Sequence, residues 1–173
     1  MEETKYNGKF IKVTEEVIGG NTWERAYLAD GVQVFPITSD KKIYMIEEKR
    51  PHEEVKIRLK FVTGLMDVPE EDPLLTANRE MQEEIGFKAN TLQIINHTRL
   101  SGTINNNFYQ VVATGLVPYK IPNPDGEDTI VSIKTYSFEE MHKMLNEGLL
   151  KWDLGTLAFF KIEKMLQNNE IRL

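Results

Sequence analysis

The stretch that most constrains this chain is "REMQEEIGF", Arg79 to Phe87, which places Glu80, Glu83 and Glu84 within five positions. Carboxylates three and four residues apart on a helix repel each other by about 0.2–0.5 kcal/mol per pair. Either water screens this repulsion on an exposed face, or a bound cation removes it. The fold must therefore present this helix to solvent or to a positive charge.

The sequence also indicates where this helix begins and ends. Asp72 can cap its amino terminus, Pro73 suits its first turn, and Gly86 suits the position after its last turn. Between them, apolar residues recur with helical spacing, at Leu74, Ala77, Met81 and Ile85. The pattern predicts an amphipathic helix with one side to bury and one acidic side.

The acidic side is a candidate magnesium site. Mg²⁺ takes oxygen ligands in near-octahedral geometry, usually a few carboxylates with water and substrate phosphate. Arg79 is placed to orient a neighbouring carboxylate, and the glycine-bearing loop "TGLMDVPEED" leads directly into the helix. A plain solvated face is the alternative interpretation.

The segment "GLMDVPEEDPLLTANREMQEEIGF", residues 64–87, resembles the Nudix box. The pattern of that family is G-x5-E-x7-R-E-U-x-E-E-x-G-U, where U is a bulky apolar residue. Its last nine positions match throughout, and Glu71 stands at the required distance before Arg79. Gly64 is one residue too far from Glu71, so the loop carries an insertion. Glu70 has the right spacing from Gly64 but the wrong spacing to Arg79, which favours Glu71.

The resemblance implies a metal-dependent hydrolysis of a nucleoside diphosphate linked to another group. By position, Glu80 and Glu84 would be the principal ligands of Mg²⁺ or Mn²⁺, and Glu83 would assist them. Arg79 would orient the glutamates, and the backbone carbonyl of Gly64 would add a ligand. Water would attack a phosphorus of the diphosphate.

A general base is also expected from the family, where it often comes from an acidic loop far along the chain. Here "NPDGEDTIVSI" supplies three candidates just before a strand, namely Asp125, Glu127 and Asp128. Glu127 is the first choice, and a solvated turn is the alternative for each of them.

Outside the box, the chain is similar to the ADP-ribose pyrophosphatase-like subgroup, which acts on nucleoside diphosphate sugars. Arg50 follows a strand pair where a substrate-contacting arginine is usual. Trp23 and Tyr27 lie on an amino-terminal hairpin, residues 1–30, which in that subgroup often swaps across a homodimer and stacks on the base. The expected products are a nucleoside monophosphate and a sugar phosphate.

Two positions depart from that subgroup. Lys60 stands where a glutamate is frequent, in "KFVTG" before the box. Asn107 stands where another glutamate is common. A nucleoside triphosphate hydrolase and a Nudix-like domain that binds a nucleotide metabolite without turnover therefore remain open as alternatives.

The whole chain predicts an α+β fold with many strands, the box helix and two carboxyl-terminal helices. The resemblance specifies a Nudix fold, a mixed β-sheet sandwich flanked by helices (α/β/α), over one domain of residues 1–173. Residues 10–18 and 22–29 are predicted to form one hairpin, and residues 32–37 and 43–48 another. Further strands are predicted at 55–62, 91–100, 107–116 and 129–136. Ser137 and Glu140 form a capping box for one helix, and a last helix runs from about 153 to 168.

Composition restricts the partners. The net charge is -6, which argues against a nucleic-acid backbone as partner, and the absence of cysteine excludes disulfides and thiolate ligands. No apolar run has the length of a membrane span. Composition therefore favours a cytoplasmic protein without nucleic-acid or membrane partners, and the resemblance implies a homodimer that acts on a small nucleotide derivative.

Overall fold

The computed structural model describes residues 1–66, 70–122, 129–150 and 153–173, without the side chains of 153 and 154. The strands in the first half are β1 (Glu3–Asn7), β2 (Ile11–Ile18), β3 (Asn21–Leu28), β4 (Gly31–Pro36), β5 (Lys42–Lys49), β6 (Ile57–Lys60) and β7 (Val62–Leu65). The elements that follow are α1 (Pro73–Glu84), β8 (Phe87–Ser101), β9 (Ile104–Pro118), β10 (Ile130–Ser137), α2 (Phe138–Asn146) and α3 (Asp153–Gln167).

The strands of the described residues form two sheets. The larger has the order β1-β2-β3-β9-β4-β7, with β8 paired along the other edge of β9. β9 is parallel to β3 and β4 and antiparallel to β8, so this sheet is mixed. The smaller sheet has the antiparallel order β10-β5-β6.

Two apolar clusters place the helices on opposite faces. Val32 and Val34 of β4 pack with Ala77 and Met81 of α1. Phe35, which points to the other face of β4, packs in a cluster that includes residues of α2 and α3. All of β4 is buried, as expected for a strand covered on both sides. The predicted α+β arrangement of helices around a mixed sheet is confirmed.

The amino-terminal hairpin is present but is part of a larger unit. β2 and β3 pair from Ile11↔Leu28 to Ile18↔Asn21. The turn between them needs glycine, because Gly19 and Gly20 have φ of 60° and 82°. The sequence reading missed β1, which adds a third antiparallel strand, and the junction of β3 with β9 at Ala26↔Ile104.

The predicted hairpin of residues 32–37 and 43–48 is wrong. β4 pairs with β7 and β9 in the larger sheet, whereas β5 pairs with β6 and β10 in the smaller one. A single bridge, Ile37↔Ile43, joins the two segments around the turn. Both segments are apolar enough to be central strands, so each takes two other neighbours and the chain passes from one sheet to the other.

The single strand predicted for residues 55–62 is also wrong, because the chain forms β6 and β7 in different sheets. The break falls at Phe61, which is 3% exposed and lies 4.4 Å from Phe35 between ring centroids. β6 pairs with β5 and β7 pairs with β4. This change of sheet brings Lys60 and Gly64 to the two ends of one short segment beside α1.

The helices follow their predicted caps. The Asp72 side chain accepts from Leu74 N at 2.9 Å, and Gly86 has φ of 76° after α1. The capping box of Ser137 and Glu140 opens α2, and α3 covers the predicted range. None of the helices in the described ranges combines the length and apolar character that a membrane crossing requires.

Candidate active site

The box helix α1 buries its acidic side as well as its apolar side. Glu80, Glu83 and Glu84 are 9%, 7% and 8% exposed, although carboxylates are rarely buried without partners. The apolar side, with Ala77 and Met81, fixes the helix on the larger sheet. The acidic side therefore faces the segment that joins β6 to β7, and the solvated-face alternative does not hold.

Arg79 holds two of the three glutamates. Its Nη1 donates to Glu80 Oε1 at 2.8 Å and lies 3.5 Å from Glu83 Oε2. Its Nη2 donates to the Leu65 carbonyl at 3.3 Å, which ties the side chain to β7. Arg79 thus orients Glu80 by a charge-assisted hydrogen bond and forms an ion pair with Glu83.

Gly64 on β7 makes room for Glu80. A Cβ built on Gly64 would lie 1.9 Å from Glu80 Cδ and 2.2 Å from Glu80 Oε1. No other residue fits there unless Glu80 moves. The strand backbone and the carboxylate are therefore in direct contact at the position where the family pattern has its first glycine.

Glu84 has donors from the backbone and from a lysine. Thr63 N donates to Glu84 Oε2 at 3.2 Å, and Lys60 Nζ donates to Glu84 Oε1 at 3.2 Å. Burial raises the pKa of Glu84 above its ordinary value, and the Lys60 charge and the two hydrogen bonds oppose that rise. Glu84 is thus a desolvated carboxylate whose charge is best stabilised by a nearby cation.

The sequence predicted neither partner of Lys60. Lys60 Nζ also lies 3.3 Å from Glu48 Oε1, and both residues are nearly buried, at 4% and 8% exposed. Glu48 Oε2 in turn forms an ion pair with Arg50 Nε at 2.6 Å, without the angles of a hydrogen bond. One signal was available: Glu48 follows the apolar Ile46 by two positions, so both point to the same face of β5.

The structure shows which of the two candidate glutamates before the box helix lies near Arg79. Glu71 Oε2 lies 3.9 Å from Arg79 Nη2 and is buried, while Glu70 is exposed and has a left-handed φ of 63°. The structure therefore brings Glu71, not Glu70, to the arginine. The intervening residues 67–69 lie outside the described part of the chain.

Asn107 is held in place by hydrogen bonds to its neighbours. Its backbone N–H donates to Asp30 Oδ1 at 2.6 Å and its Nδ2 to Asp30 Oδ2 at 3.0 Å. Its Oδ1 lies 3.0 Å from His97 Nε2. A glutamate here would meet the Asp30 carboxylate, so this departure from the subgroup is matched by its neighbour.

The remaining predicted residues lie apart from the box. Trp23 is 55% exposed on β3, and the Tyr27 hydroxyl donates to Glu2 Oε1 at 2.7 Å. Tyr27 also lines a cavity of about 240 Å³ with Asp30, Arg99 and Asn107, among others. Among the described residues, Arg50 is linked to the box by ion pairs through Glu48 and Lys60. Glu127, with Asp125 and Asp128, lies outside the described residues.

The box residues fit a divalent cation in chemistry. Their donors are carboxylate oxygens, which Mg²⁺ and Mn²⁺ prefer, and the missing side chain of Gly64 lets the Glu80 carboxylate lie against the backbone of β7. In the part of the chain that the structure describes, no group of three or more acidic or histidine side chains is already arranged to bind a metal ion. Glu80 and Glu84, with Glu83 between them, are the residues that would hold an ion.

Fold and site together define a class. The NUDIX domain model matches residues 28–154, which include the whole box, and the chain belongs to this family of hydrolases. The resemblance read from Gly64 to Phe87 is therefore confirmed.

Three known proteins are similar to this chain. A methanol dehydrogenase activator of Bacillus methanolicus is 26% identical over 151 residues, 84% of this chain and 80% of that protein. An ADP-ribose pyrophosphatase of Mycobacterium tuberculosis is 31% identical over 86 residues, 49% of this chain and only 42% of its own length. A crystal structure of an ADP compounds hydrolase matches with a TM-score of 0.80 at 23% identity, covering 98% of this chain and 93% of that one. The last match confirms the predicted Nudix fold.

Proposed function

We propose that this chain is a Mg²⁺-dependent pyrophosphohydrolase, with Mn²⁺ as a substitute, that cleaves a nucleoside diphosphate sugar. ADP-ribose is the first choice, and the products are a nucleoside monophosphate and a sugar phosphate. The observation that carries the proposal is the buried glutamate set of α1, held by Arg79 against Gly64. Such a costly cluster of carboxylates is explained by a divalent ion that binds them.

Glu80 and Glu84 are the proposed principal ligands, with Glu83 and the Gly64 carbonyl assisting. When bound, the ion supplies charge compensation on the phosphate oxygens and lowers the pKa of a coordinated water. Arg79 keeps Glu80 in one orientation, and the Thr63 N–H does the same for Glu84. Pre-oriented groups of this kind are the protein's main contribution to phosphoryl chemistry.

The substrate contacts proposed outside the box are Arg50 for the diphosphate sugar and Trp23 and Tyr27 for the base. Exposed aromatics on the amino-terminal strands support a homodimer in which they reach the partner's site. Glu127 is the proposed general base. The cytoplasm, where nucleotide sugars of this kind occur, is the proposed location.

The names of two relatives support the substrate class. One is called an ADP-ribose pyrophosphatase and the other an ADP compounds hydrolase. Both names specify an ADP moiety, which agrees with the subgroup that the sequence resembles.

The test is a substrate panel with the purified chain and Mg²⁺. ADP-ribose, other nucleotide sugars, dinucleotides and nucleoside triphosphates are each incubated, and phosphatase-sensitive products are measured. We expect ADP-ribose to be the best substrate, and Glu84→Gln to lower its turnover by at least about 100-fold. Glu139→Gln, an exposed glutamate on α2, is the matched control. Turnover of nucleoside triphosphates alone would show that the substrates are triphosphates and not nucleoside diphosphate sugars.

A second candidate is nucleotide binding without turnover. It is favoured by Lys60, which already neutralises Glu84 and lies where the subgroup has an acid. The relative from Bacillus methanolicus is also named as an activator and not as a hydrolase. Micromolar binding of ADP-ribose by the intact chain, with no product on the panel, would favour this candidate over hydrolysis.

A further inference from the structure

Lys60 is the most deeply buried charged residue at the site, at 4% exposed. Its ammonium lies between two carboxylates on different elements, 3.3 Å from Glu48 on β5 and 3.2 Å from Glu84 on α1. A buried ammonium needs such partners, and each carboxylate equally needs the ammonium. The three side chains therefore form one unit that ties the smaller sheet to the box helix.

The unit extends into an alternating row of charges. Arg50 pairs with Glu48, Glu48 with Lys60, and Lys60 with Glu84. The row ends at the Thr63 N–H, which donates to the second oxygen of Glu84. Both Glu84 oxygens thus have donors from the protein, and one of those donors carries a full positive charge.

Glu80 is treated differently from Glu84. Its charged donor is Arg79, which approaches from the same helix and also reaches Glu83. Gly64 leaves the β7 side of Glu80 without a side chain. Both carboxylates thus pair with a cation, but Arg79 belongs to the box helix itself, whereas Lys60 reaches Glu84 from the smaller sheet.

We propose that Lys60 is a built-in cation that competes with a divalent ion for Glu84. This inference rests on the proposed function, since it concerns the same site. An ammonium beside a divalent ion repels it, because the protein interior screens charges weakly. The intact chain therefore binds divalent ions less tightly at Glu84 than the glutamates alone would.

The experiment is a Mn²⁺ titration of the full chain, with free Mn²⁺ followed by electron paramagnetic resonance. Lys60→Met removes the charge and keeps a side chain of similar length; Lys60→Gln keeps a donor for the carboxylates if the methionine variant does not fold. We expect either variant to bind Mn²⁺ about tenfold or more tightly than the intact chain, or to bind an additional ion. Lys60→Arg, which keeps the charge, should bind as the intact chain does.

The matched control is Lys134→Met, since Lys134 pairs with Glu47 at 3.0 Å in the same sheet but is half exposed. Its Mn²⁺ binding should not change. A merely structural role for Lys60 would make the neutral variants bind Mn²⁺ less tightly, because the loosened site would lose order. Unchanged or weaker binding by both neutral variants would overturn the inference.

The failure of the proposed function is a separate outcome. If the intact chain hydrolyses nothing on the substrate panel, hydrolysis is rejected. The comparison of Mn²⁺ binding between the intact chain and its Lys60 variants still decides the role of Lys60.

Discussion

At the scale of single residues, Gly64 shows how closely the backbone of β7 approaches the box helix. A methyl group at this position would overlap Glu80 Cδ, at 1.9 Å. Because Arg79 also holds the Glu80 side chain, that side chain cannot easily move away from such a methyl group. The glycine of the box is therefore a matter of space, since its backbone does not adopt a left-handed conformation here.

Gly64→Ala tests this contact. We expect kcat/KM for the diphosphate substrate to fall by roughly 100-fold, because displacement of a site residue by about 1 Å has effects of that size. Gly102→Ala is the control, since a Cβ there has open space. Equal activity of both variants, measured at saturating Mg²⁺, would mean that Glu80 is not held as described.

The box insertion gives a second prediction at this scale. Glu71→Gln should lower the free energy of unfolding by up to about 1 kcal/mol, because it removes a carboxylate beside Arg79. Glu70→Gln should change it by less than about 0.5 kcal/mol, since Glu70 is exposed. Urea denaturation measures both, and the opposite ranking would assign the box register to Glu70.

The sequence was informative about these residues to different degrees. Sequence alone could predict that the glutamates lie together with Arg79 and Gly64, because one continuous motif contains them all. The contact of Lys60 with Glu48 could not, because it depends on the pairing of β5 with β6 across a loop. Sequence spacing alone does not indicate such long-range pairing.

At the scale of elements, α2 depends on a reciprocal cap. Ser137 Oγ accepts from Glu140 N at 3.2 Å, and Glu140 Oε2 accepts from Ser137 N at 2.7 Å. Ser137→Ala should lower the free energy of unfolding by about 1 kcal/mol, the usual cost of losing an N-cap side chain. Chemical denaturation checks this, with Glu139→Gln in the same turn as control. No loss for Ser137→Ala would show that packing alone fixes the start of α2.

The same cap predicts a dependence on pH. The hydrogen bond from the Ser137 N–H holds the pKa of Glu140 below its ordinary value of 4.5. The stabilisation by the charged carboxylate is therefore present above pH 4.5 and is lost as the pH falls through the lower folded pKa. Thermal melts of the intact chain and of Glu140→Gln should differ at neutral pH and converge in strong acid. A difference that persists unchanged at low pH would rule out this linkage.

Helices with chemical end signals were predicted well, whereas strand pairing was predicted correctly only for the amino-terminal hairpin of β2 and β3. α1 begins at the predicted Asp72 cap and ends before Gly86, and α2 begins at its predicted capping box, because caps and glycines act locally. Strands 32–37 and 43–48 were paired wrongly, since a short turn between apolar segments is equally compatible with a change of sheet. The division of 55–62 at Phe61 has the same cause, because the sequence does not indicate which sheet each half joins.

At the scale of the whole molecule, the amino-terminal strands present an uncovered apolar surface. Ile18 and Trp23, which lie on the same face of the β2–β3 hairpin, are 50% and 55% exposed. Exposed apolar residues that lie close together commonly mark contact surfaces between chains. This surface supports the proposed homodimer, in which Trp23 of one copy would approach the site of the other.

Light scattering on the purified chain tests the dimer. We expect the mass of two chains, and a shift toward one chain for Trp23→Ser. Leu157→Ser, at an exposed apolar position of α3, should leave the mass unchanged. A single-chain mass for the intact protein at micromolar concentration would exclude the proposed contribution of Trp23 and Tyr27 to a partner's site.

The proposed function requires the box glutamates to hold a divalent ion during diphosphate hydrolysis. A phosphorus NMR time course of ADP-ribose with the intact chain, with and without Mg²⁺, measures this requirement. We expect the diphosphate signals to give way to phosphomonoester signals only when Mg²⁺ is present, and Glu80→Gln to abolish this conversion while the fold is retained. Diphosphate that stays intact with Mg²⁺, or conversion that Glu80→Gln does not affect, would rule out a metal-dependent hydrolase built on these glutamates.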